Sequence, residues 1–309
     1  MRRPKVAREP APAVAGGRCR SHRDTLFAMR WTHATGSLEL GTRTLLMGVV
    51  NVTPDSFSDG GRFLDPEAAV RHGVDLVEAG ADLLDVGGES TRPGSDPVAE
   101  GEEADRVLPV IKRLAAEVDA PISVDTRRAA VAEAALGSGA SIVNDVTAGR
   151  GDPGMFDAVR SAGAGMVLMH MLGEPKTMQD APAYDDVVAE VRAFLAGRVA
   201  SAEEAGIPPD RLCVDPGIGF GKTLEHNLLL LRHVDDLRDL GAGIVVGPSR
   251  KAFLGALTGA GVDDRVEGTA GAVAWLAAKG VDVVRVHDVR EMAHVVRVVD
   301  AIARAGGDG

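Results

Sequence analysis

The amino-acid sequence predicts an α/β protein folded as a single (β/α)8 TIM barrel, and three observations support this fold class. Short apolar runs alternate with longer helical stretches eight times between residues 45 and 304. The runs are apolar throughout, as are strands of a parallel sheet that helices cover on both faces. The 309 residues of the chain are ample for a barrel of roughly 250. An open, doubly wound sheet is the rival fold, and eight units without a visible second domain favour the barrel.

The first strand and its helix show how each unit is recognised. The apolar run 45–50 ends at the polar residue Asn51. Residues 53–61 contain a proline, which cannot donate to a sheet ladder, and two glycines, which adopt backbone angles closed to other residues. A loop is therefore predicted there. The following helix begins at Pro66 and ends at Gly80, the usual positions of these residues at helix ends.

The remaining units follow the same pattern along the chain. The predicted strands are 45–51, 83–87, 121–125, 141–146, 165–170, 211–215, 243–247 and 282–287. The predicted helices are 66–80, 98–118, 128–137, 154–162, 184–205, 225–240, 250–258, 267–279 and 290–304. We place the barrel domain at residues 40–305.

Residues 1–30 differ from the rest of the chain in charge and composition. They contain eight Lys or Arg residues against two acids, and they are rich in Ala, Pro and Gly. They lack the compact apolar segment and the cleavage pattern of a secretory signal. An Arg-rich, acid-poor leader is also typical of transit peptides. We favour a disordered extension, or an over-long reading frame in which Met29 is the true start.

The composition argues against several classes of function. The net charge is −11, and the body is more acidic still because residues 1–30 are basic; an acidic body argues against nucleic-acid binding. No apolar run approaches the ~18 residues of a membrane span, so we expect no membrane partner. The two cysteines, Cys19 and Cys213, are far apart and lack metal-ligand spacing. We therefore expect a soluble, cytoplasmic protein.

Polar residues end nearly every predicted strand. In a (β/α)8 barrel the carboxyl ends of the strands meet on one face, where enzymes with this fold keep their active sites. A single Asp after a strand is more often a helix cap than a catalyst. Several of these residues lie inside the apolar runs, however, and a buried polar group needs a partner or a ligand. The strand-end residues are Asn51, Asp85, Asp125, Asn144, Asp145, His170, Asp215, Ser249, Arg250, Lys251, Arg285 and His287.

The types of these side chains indicate what they bind. Arg285 and His287 are two residues apart on one strand, so their side chains share a face. Because such barrels often bind phosphate near the last two strands, this pair is a candidate clamp for a diphosphate. Asp215, Asn144 and Lys251 offer a carboxylate, an amide and an ammonium group. Together these groups can bind the hydrogen-bonding edge of an amino-pyrimidinone ring.

Other chemistries find no support in the sequence. There is no persuasive Ser-His-Asp order, no cysteine nucleophile and no zinc spacing. The segment 217–223 resembles a phosphate-binding loop, but the position six residues before Lys222 is Pro216 instead of the required glycine. Two residues keep two interpretations each. Asp85 is either a site residue or a brace for the loop after it, and His170 is either a site residue or a packed histidine at the core edge.

Seven motifs in order carry a resemblance to a known family. They are NVTPDSFSDGG (51–61), DVGGESTRPG (85–94), SVDT (123–126), NDV (144–146), DPGIGFGKT (215–223), SRK (249–251) and RVHDVR (285–290). Each motif alone is weak. As a set over about residues 45–290, they resemble the dihydropteroate synthases.

The resemblance implies a (β/α)8 enzyme of folate synthesis. Such enzymes join (7,8-dihydropterin-6-yl)methyl diphosphate to 4-aminobenzoate and release 7,8-dihydropteroate and diphosphate, with Mg²⁺ as cofactor. By the resemblance, the catalytic, pterin-holding residues are Asp125, Asn144, Asp215 and Lys251. The residues implied at the diphosphate are Arg285, His287 and Asn51, with Asn51 also at Mg²⁺, and Thr91 is implied to contact the pterin diphosphate. Those implied around the aminobenzoate are Phe57, Asp59, Arg92 and Pro93 of the first two loops, and Ser249 of the SRK motif joins the substrate-binding set.

The resemblance also implies a homodimer, and one position departs from the family pattern. Many members have serine after the lysine of the SRK motif, where this chain has Ala252. Backbone N–H groups at that helix start are the expected substitute for the lost hydroxyl. Two alternatives share the barrel: a pterin-dependent methyltransferase and a catalytically silent pterin-binding homologue. The first would not need the first loop or the diphosphate clamp, and the second would have lost Arg92, Lys251 or Arg285.

Overall fold

Eight parallel strands close into a barrel in the computed structural model, which describes residues 29–53, 66–90, 94–240 and 243–305. The barrel strands follow one another in chain order, and the last pairs with the first. The predicted (β/α)8 fold is confirmed. The basic segment 1–28 lies outside the described residues. Within them, no helix is both long enough and apolar enough to cross a membrane.

The element limits agree with the predicted ones to within about three residues, apart from one helix. The strands are β1 (Met29–His33), β2 (Gly36–Leu40), β3 (Leu45–Asn51), β4 (Leu83–Gly87), β5 (Ile122–Asp125), β6 (Ile142–Asp145), β7 (Gly165–Met169), β8 (Leu212–Asp215), β9 (Gly243–Val246) and β10 (Val283–Val286). The helices are α1 (Pro66–Glu78), α2 (Glu100–Glu117), α3 (Ala129–Gly137), α4 (Met155–Ala162), α5 (Val187–Glu204), α6 (Leu224–Arg232), α7 (Ala252–Thr258), α8 (Val266–Ala278) and α9 (Val289–Arg304).

The exception is the helix predicted over 225–240, which the structure divides. Helix α6 ends at Arg232, and a 3-10 helix continues over Val234–Leu240. The backbone of His233 leaves the helical region at the junction. At its start, α6 has a capping box, in which the Thr223 hydroxyl accepts from the His226 N–H. Such a cap satisfies N–H groups that lack a partner within the helix.

An antiparallel hairpin, absent from the predicted elements, precedes the barrel. Strands β1 and β2 pair from Met29↔Leu40 to His33↔Gly36. Trp31 is fully buried, and its indole N–H donates to the Arg211 carbonyl at 3.0 Å. The hairpin packs on side chains from the amino-terminal halves of the strands. It therefore closes the end of the barrel opposite the strand-end residues.

The register of the barrel strands aligns the strand ends. Asn51 lies beside Gly87, Gly87 beside Asp125, and Asp125 beside Asn144 in neighbouring strands. Four adjacent strands thus end at one level. Because side chains alternate between the two faces of a strand, this register decides which polar groups meet inside the barrel mouth.

Candidate active site

An arginine on the last strand lies between two carboxylates at the carboxyl end of the barrel. Arg285 Nε donates to Asp85 Oδ2 at 2.6 Å, and Arg285 Nη2 donates to Asp125 Oδ2 at 3.0 Å. The Asn144 amide donates to the same Asp85 oxygen at 3.0 Å. Side chains from β4, β5, β6 and β10 therefore form one connected polar network.

The acidity of Asp125 is strongly perturbed in this network. Burial and the neighbouring charge of Asp85 raise the pKa of Asp125 to about 7, against the opposing effect of Arg285. Perturbed carboxylates cluster at functional sites because such sites remove water and bring charges together. Near neutral pH this carboxyl group is therefore only partly ionised.

A second cluster lies across the mouth of the barrel, around Asp215 and Lys251. The Gly217 N–H donates to Asp215 Oδ1 at 2.7 Å, and burial raises the pKa of Asp215. Lys251 Nζ donates to the Ile218 carbonyl and lies 4.7 Å from the centroid of the Phe220 ring. Burial lowers the pKa of Lys251 to about 8, although the charge of Asp215 opposes this. Burial thus disfavours the charged forms of Asp215 and Lys251, whereas the opposite charge of each neighbour favours them.

The glycine-rich loop between β8 and α6 is fixed by side chains from several elements. Gly217, Gly219 and Gly221 all have positive φ. At Gly217 a Cβ atom would lie 1.9 Å from the His170 carbonyl oxygen, so only glycine fits. Four successive carbonyls, from residue 218 to residue 221, accept hydrogen bonds from Lys251, Gln179, Lys222 and Tyr184 in that order. The loop is therefore a preformed platform beside Asp215.

Lys222 and His170 hold this loop from beneath. Lys222 Nζ is 2.9 Å from His170 Nδ1 and 3.0 Å from the Phe220 carbonyl oxygen, and the residue is buried. Burial lowers the pKa of Lys222 to about 7, and burial together with Lys222 lowers the pKa of His170 to about 3. His170 is therefore neutral and accepts from the lysine. This is the packed-histidine interpretation of His170, and the lysine of the rejected phosphate-loop pattern points inward.

The segment between β9 and α7 positions Ser249 against His287. The Ser249 hydroxyl accepts from the His287 N–H at 3.2 Å and lies 3.0 Å from His287 Nδ1. Arg250 between Ser249 and Lys251 has a left-handed backbone, with φ 57°. Its guanidinium pairs with Asp288 at 3.0 Å, which holds this uncommon conformation. Ala252 is the exposed first residue of α7.

The remaining predicted residues divide into one that the structure describes and five that it does not. Asn51 is half-buried at the end of β3. Five predicted substrate-binding residues lie outside the described residues: Phe57, Asp59, Thr91, Arg92 and Pro93.

The described flanks of the second loop contact the loop after β7. Arg127 pairs with Glu89 at 3.1 Å and with Glu174 at 2.9 Å. The Gly94 N–H donates to the Pro175 carbonyl at 3.1 Å. These contacts, made by residues from three loops, had no signal in the sequence, because ion pairs between loops leave no periodic pattern.

The contacts of Asp85 and Lys222 could not be predicted from the sequence. An Asp within the apolar run 83–87 signalled a buried charge that needs a partner, but not which partner. Lys222 belongs to a glycine-rich loop, and nothing in its local sequence indicates that it is buried against His170.

Comparison with known proteins gives a consistent result. The family of pterin binding enzymes matches residues 47–287. The dihydropteroate synthase of Mycobacterium leprae is 49% identical over 84% of this chain and 94% of the relative. A solved structure of Xanthomonas albilineans dihydropteroate synthase with 4-aminobenzoic acid is 48% identical, with a TM-score of 0.83 over 89% of this chain and 98% of that one. A structure of the Xanthomonas enzyme with 7,8-dihydropteroate is 46% identical, with a TM-score of 0.80 over 88% and 98%.

The match covers the barrel strands that carry Asp125, Asn144, Asp215 and Arg285. Similarity of this extent and identity is found between members of one family. The chain therefore belongs to the pterin binding enzyme family.

Proposed function

We propose that this protein catalyses the dihydropteroate synthase reaction. It joins (7,8-dihydropterin-6-yl)methyl diphosphate to 4-aminobenzoate and releases 7,8-dihydropteroate and diphosphate, a step of folate synthesis. The observation that carries the proposal is near full-length similarity to dihydropteroate synthases solved with 4-aminobenzoic acid and with 7,8-dihydropteroate. The polar groups at the barrel mouth suit these small-molecule substrates.

The pterin ring suits the space between the two polar clusters. A pterin presents an amino-pyrimidinone edge with adjacent donors and acceptors. Asp215 and the oxygen of the Asn144 amide accept from such donors, whereas Lys251 donates to the ring's acceptors. Because these groups are buried or nearly so, each hydrogen bond forms in a site of low dielectric and is stronger than in water. The glycine-rich loop keeps Asp215 and Lys251 in place before the substrate arrives.

The diphosphate suits Arg285, His287 and Asn51, which lie on the adjacent strands β10 and β3 or at their ends. A guanidinium has five N–H donors. Among the contacts of the described residues, two of the Arg285 donors bind carboxylates. The rest are available to an anion. His287 is oriented by its contact with Ser249. This division assigns Ser249 an indirect part in substrate binding.

The residues present fit Mg²⁺ only as an ion held chiefly by substrate. Among the described residues, no three His, Cys, Asp or Glu side chains are grouped to hold a metal. Asn51 offers one amide oxygen, and Mg²⁺ in enzymes commonly takes few protein ligands together with substrate phosphates and waters. When bound there, Mg²⁺ would neutralise charge on the leaving diphosphate.

The chemistry follows from these positions. The bond between the pterin methylene carbon and the diphosphate oxygen breaks, and the electron pair leaves with the diphosphate. Asp125 is suited to stabilise the positive charge that develops on the pterin methylene. The arylamine nitrogen then bonds to that carbon and loses a proton. No covalent bond to the protein is required.

The protein is further proposed to act as a cytoplasmic homodimer. The support for dimerisation is a group of exposed apolar side chains on neighbouring helices α6, α7 and α8 and the segment after α7. They are Leu228, Leu257, Val262 and Trp275, which are 40–55% exposed. Exposed apolar side chains that form a contiguous patch are typical of a protein–protein contact. The low cysteine content supports a reducing compartment.

The first experiment measures diphosphate release from the pterin diphosphate with Mg²⁺, with and without 4-aminobenzoate, while product is followed by mass. Dihydropteroate formed in equal amount to the diphosphate released is the expected result. Pterin binding without turnover would instead indicate a silent homologue or a methyltransferase.

Lys251→Ala and Arg285→Ala test the site. Each should abolish turnover while leaving the fold intact, because each removes a half-buried cation from the substrate site. Lys112→Ala, at an exposed position of α2, is the matched control and should keep full activity. Near-normal turnover in either site variant would contradict the assignment.

A further inference from the structure

Asp85 is the point at which two proposed substrate-binding groups meet. It lies in the middle of β4, is fully buried, and uses one oxygen, Oδ2, to accept from both Arg285 and Asn144. Its other oxygen, Oδ1, is buried without a hydrogen-bond partner among the side chains and backbone that the structure describes. A buried carboxylate with an unsatisfied oxygen costs stability. This cost calls for an explanation in what the bonded oxygen, Oδ2, does.

The geometry around Arg285 supplies that explanation. The guanidinium is planar and its donors form a rigid fork. The bond from Nε to Asp85 fixes the plane of the fork, so only Nη2 reaches Asp125. Without Asp85, both edges of the fork would be free to turn onto Asp125. Such a bidentate pair would satisfy the carboxylate that the reaction needs.

Asn144 is fixed by the same carboxylate. An amide can present either its oxygen or its nitrogen to a ligand. Because the Asn144 Nδ2 donates to Asp85, the amide oxygen is directed away from Asp85. A carboxylate at position 85 thus sets the orientation of two neighbours at once, one on each side of Asp125 in the barrel.

We propose that Asp85 is a positioning residue that holds Arg285 for the diphosphate and Asn144 for the pterin, and that keeps Arg285 from closing onto Asp125. This inference rests on the proposed function. Asp85 acts through its neighbours and contacts no reacting atom. Its loss should weaken the binding of both halves of the pterin diphosphate.

Asp282 provides a matched control within the same barrel. It is also buried, also has one oxygen without a hydrogen-bond partner, and also has an arginine nearby, Arg238 at 3.6 Å. Its bonded oxygen accepts from the Ile244 N–H at 2.9 Å. It directly precedes β10 and lies at the amino-terminal end of the barrel. If Asp85 were purely structural, its substitution should change stability and ligand affinity in the same way as substitution of Asp282.

The test compares Asp85→Asn with Asp282→Asn. Calorimetry measures the affinity for inorganic diphosphate with Mg²⁺ and, separately, for 6-hydroxymethylpterin, and thermal melting measures stability. Asp85→Asn should weaken both affinities by roughly 10- to 100-fold, the range expected when a hydrogen bond to a charged group is lost. It should lower kcat as well and leave the KM for 4-aminobenzoate unchanged. Asp282→Asn should lower Tm and leave both affinities at the wild-type value.

Two results would overturn the proposal. One is a folded Asp85→Asn protein with wild-type affinity for both ligands. The other is an equal loss of affinity in Asp282→Asn, which would make the effect a general result of removing a buried carboxylate. Because binding is measured apart from turnover, a wild-type protein that binds both ligands but forms no dihydropteroate would contradict the proposed function and leave the role of Asp85 readable.

A measurement on the wild-type protein covers the case in which Asp85→Asn does not fold. The ¹⁵N resonance of the Arg285 Nε–H is assigned by its disappearance in Arg285→Lys. If Asp85 holds Arg285 during binding, this N–H should exchange slowly with water both before and after diphosphate and Mg²⁺ are added. Rapid exchange in the bound state would show that Arg285 leaves Asp85 for the ligand, and would overturn the proposal.

Discussion

The acidity of Asp125 leads to a testable pH dependence of turnover. Asp125 must be ionised to stabilise positive charge on the pterin, and its pKa is raised to about 7. The carboxylate is therefore ~90% ionised at pH 8 and ~10% ionised at pH 6. Below pH 7, kcat/KM for the pterin diphosphate should fall towards about tenfold per pH unit. A carboxylate with an ordinary pKa would keep full activity down to about pH 5.

The sign of the shift follows from the groups that face Asp125. Burial raises the pKa, as do the charges of Asp85 on β4, Glu103 on α2 and Asp145 on β6, whereas Arg285 on β10 lowers it. Removing the charge of Asp85 should therefore lower the pKa of Asp125. In Asp85→Asn the acidic limb of the plot of activity against pH should move to lower pH, even though the maximum rate is reduced.

The assay is the initial rate of dihydropteroate formation between pH 5 and pH 9, at constant ionic strength and with saturating Mg²⁺ and 4-aminobenzoate. Ionisation of the substrate diphosphate is the same for every variant, so the difference between wild type and Asp85→Asn isolates the protein. The alkaline limb should reflect Lys251, whose pKa is lowered to about 8. Asp282→Asn is the control and should leave both limbs in place. An acid limb that does not move in Asp85→Asn would refute the reasoning.

Three further predictions concern the loop, the hairpin and the proposed dimer. Gly217→Ala should abolish pterin binding in calorimetry because the added Cβ would lie 1.9 Å from the His170 carbonyl oxygen. The control Gly259→Ala, at a position that also has positive φ but nothing within 4 Å of an added Cβ, should bind the pterin normally. Equal pterin binding by both variants would contradict the role of the glycine-rich loop. Trp31→Ala should lower the free energy of unfolding, measured with urea, by about 3–5 kcal/mol and leave kcat unchanged at 25 °C. A loss of kcat without a loss of stability would exclude a purely structural hairpin. Trp275→Glu should convert the dimer to a monomer in sedimentation, and an unchanged mass would remove this face from the interface.

The sequence by itself determined the barrel and the end of it at which the polar strand-end residues meet. Strands and helices leave a local signal, since burial on both faces makes a run apolar and Pro66 or Gly80 marks a helix end. The carboxyl ends of parallel strands must meet, so the order of polar residues along the chain sufficed to bring Asp125 and Arg285 to one face. The hairpin around Trp31 was not predicted because its short strands carry no long apolar run, only single apolar side chains that pack under the barrel.

Only the tertiary structure decided which polar groups bond to which. Asp85 bonds to Asn144, 59 positions away, and to Arg285, 200 positions away. Such pairings depend on strand register and on the angle at which each side chain enters the barrel mouth, and neither is encoded in spacing along the chain. For the same reason the sequence argued only that Lys222 does not belong to a phosphate loop, and the fold was needed to place this lysine against His170. The partners of a buried charged side chain come from several neighbouring strands, so they can be identified only when all of those strands are in place.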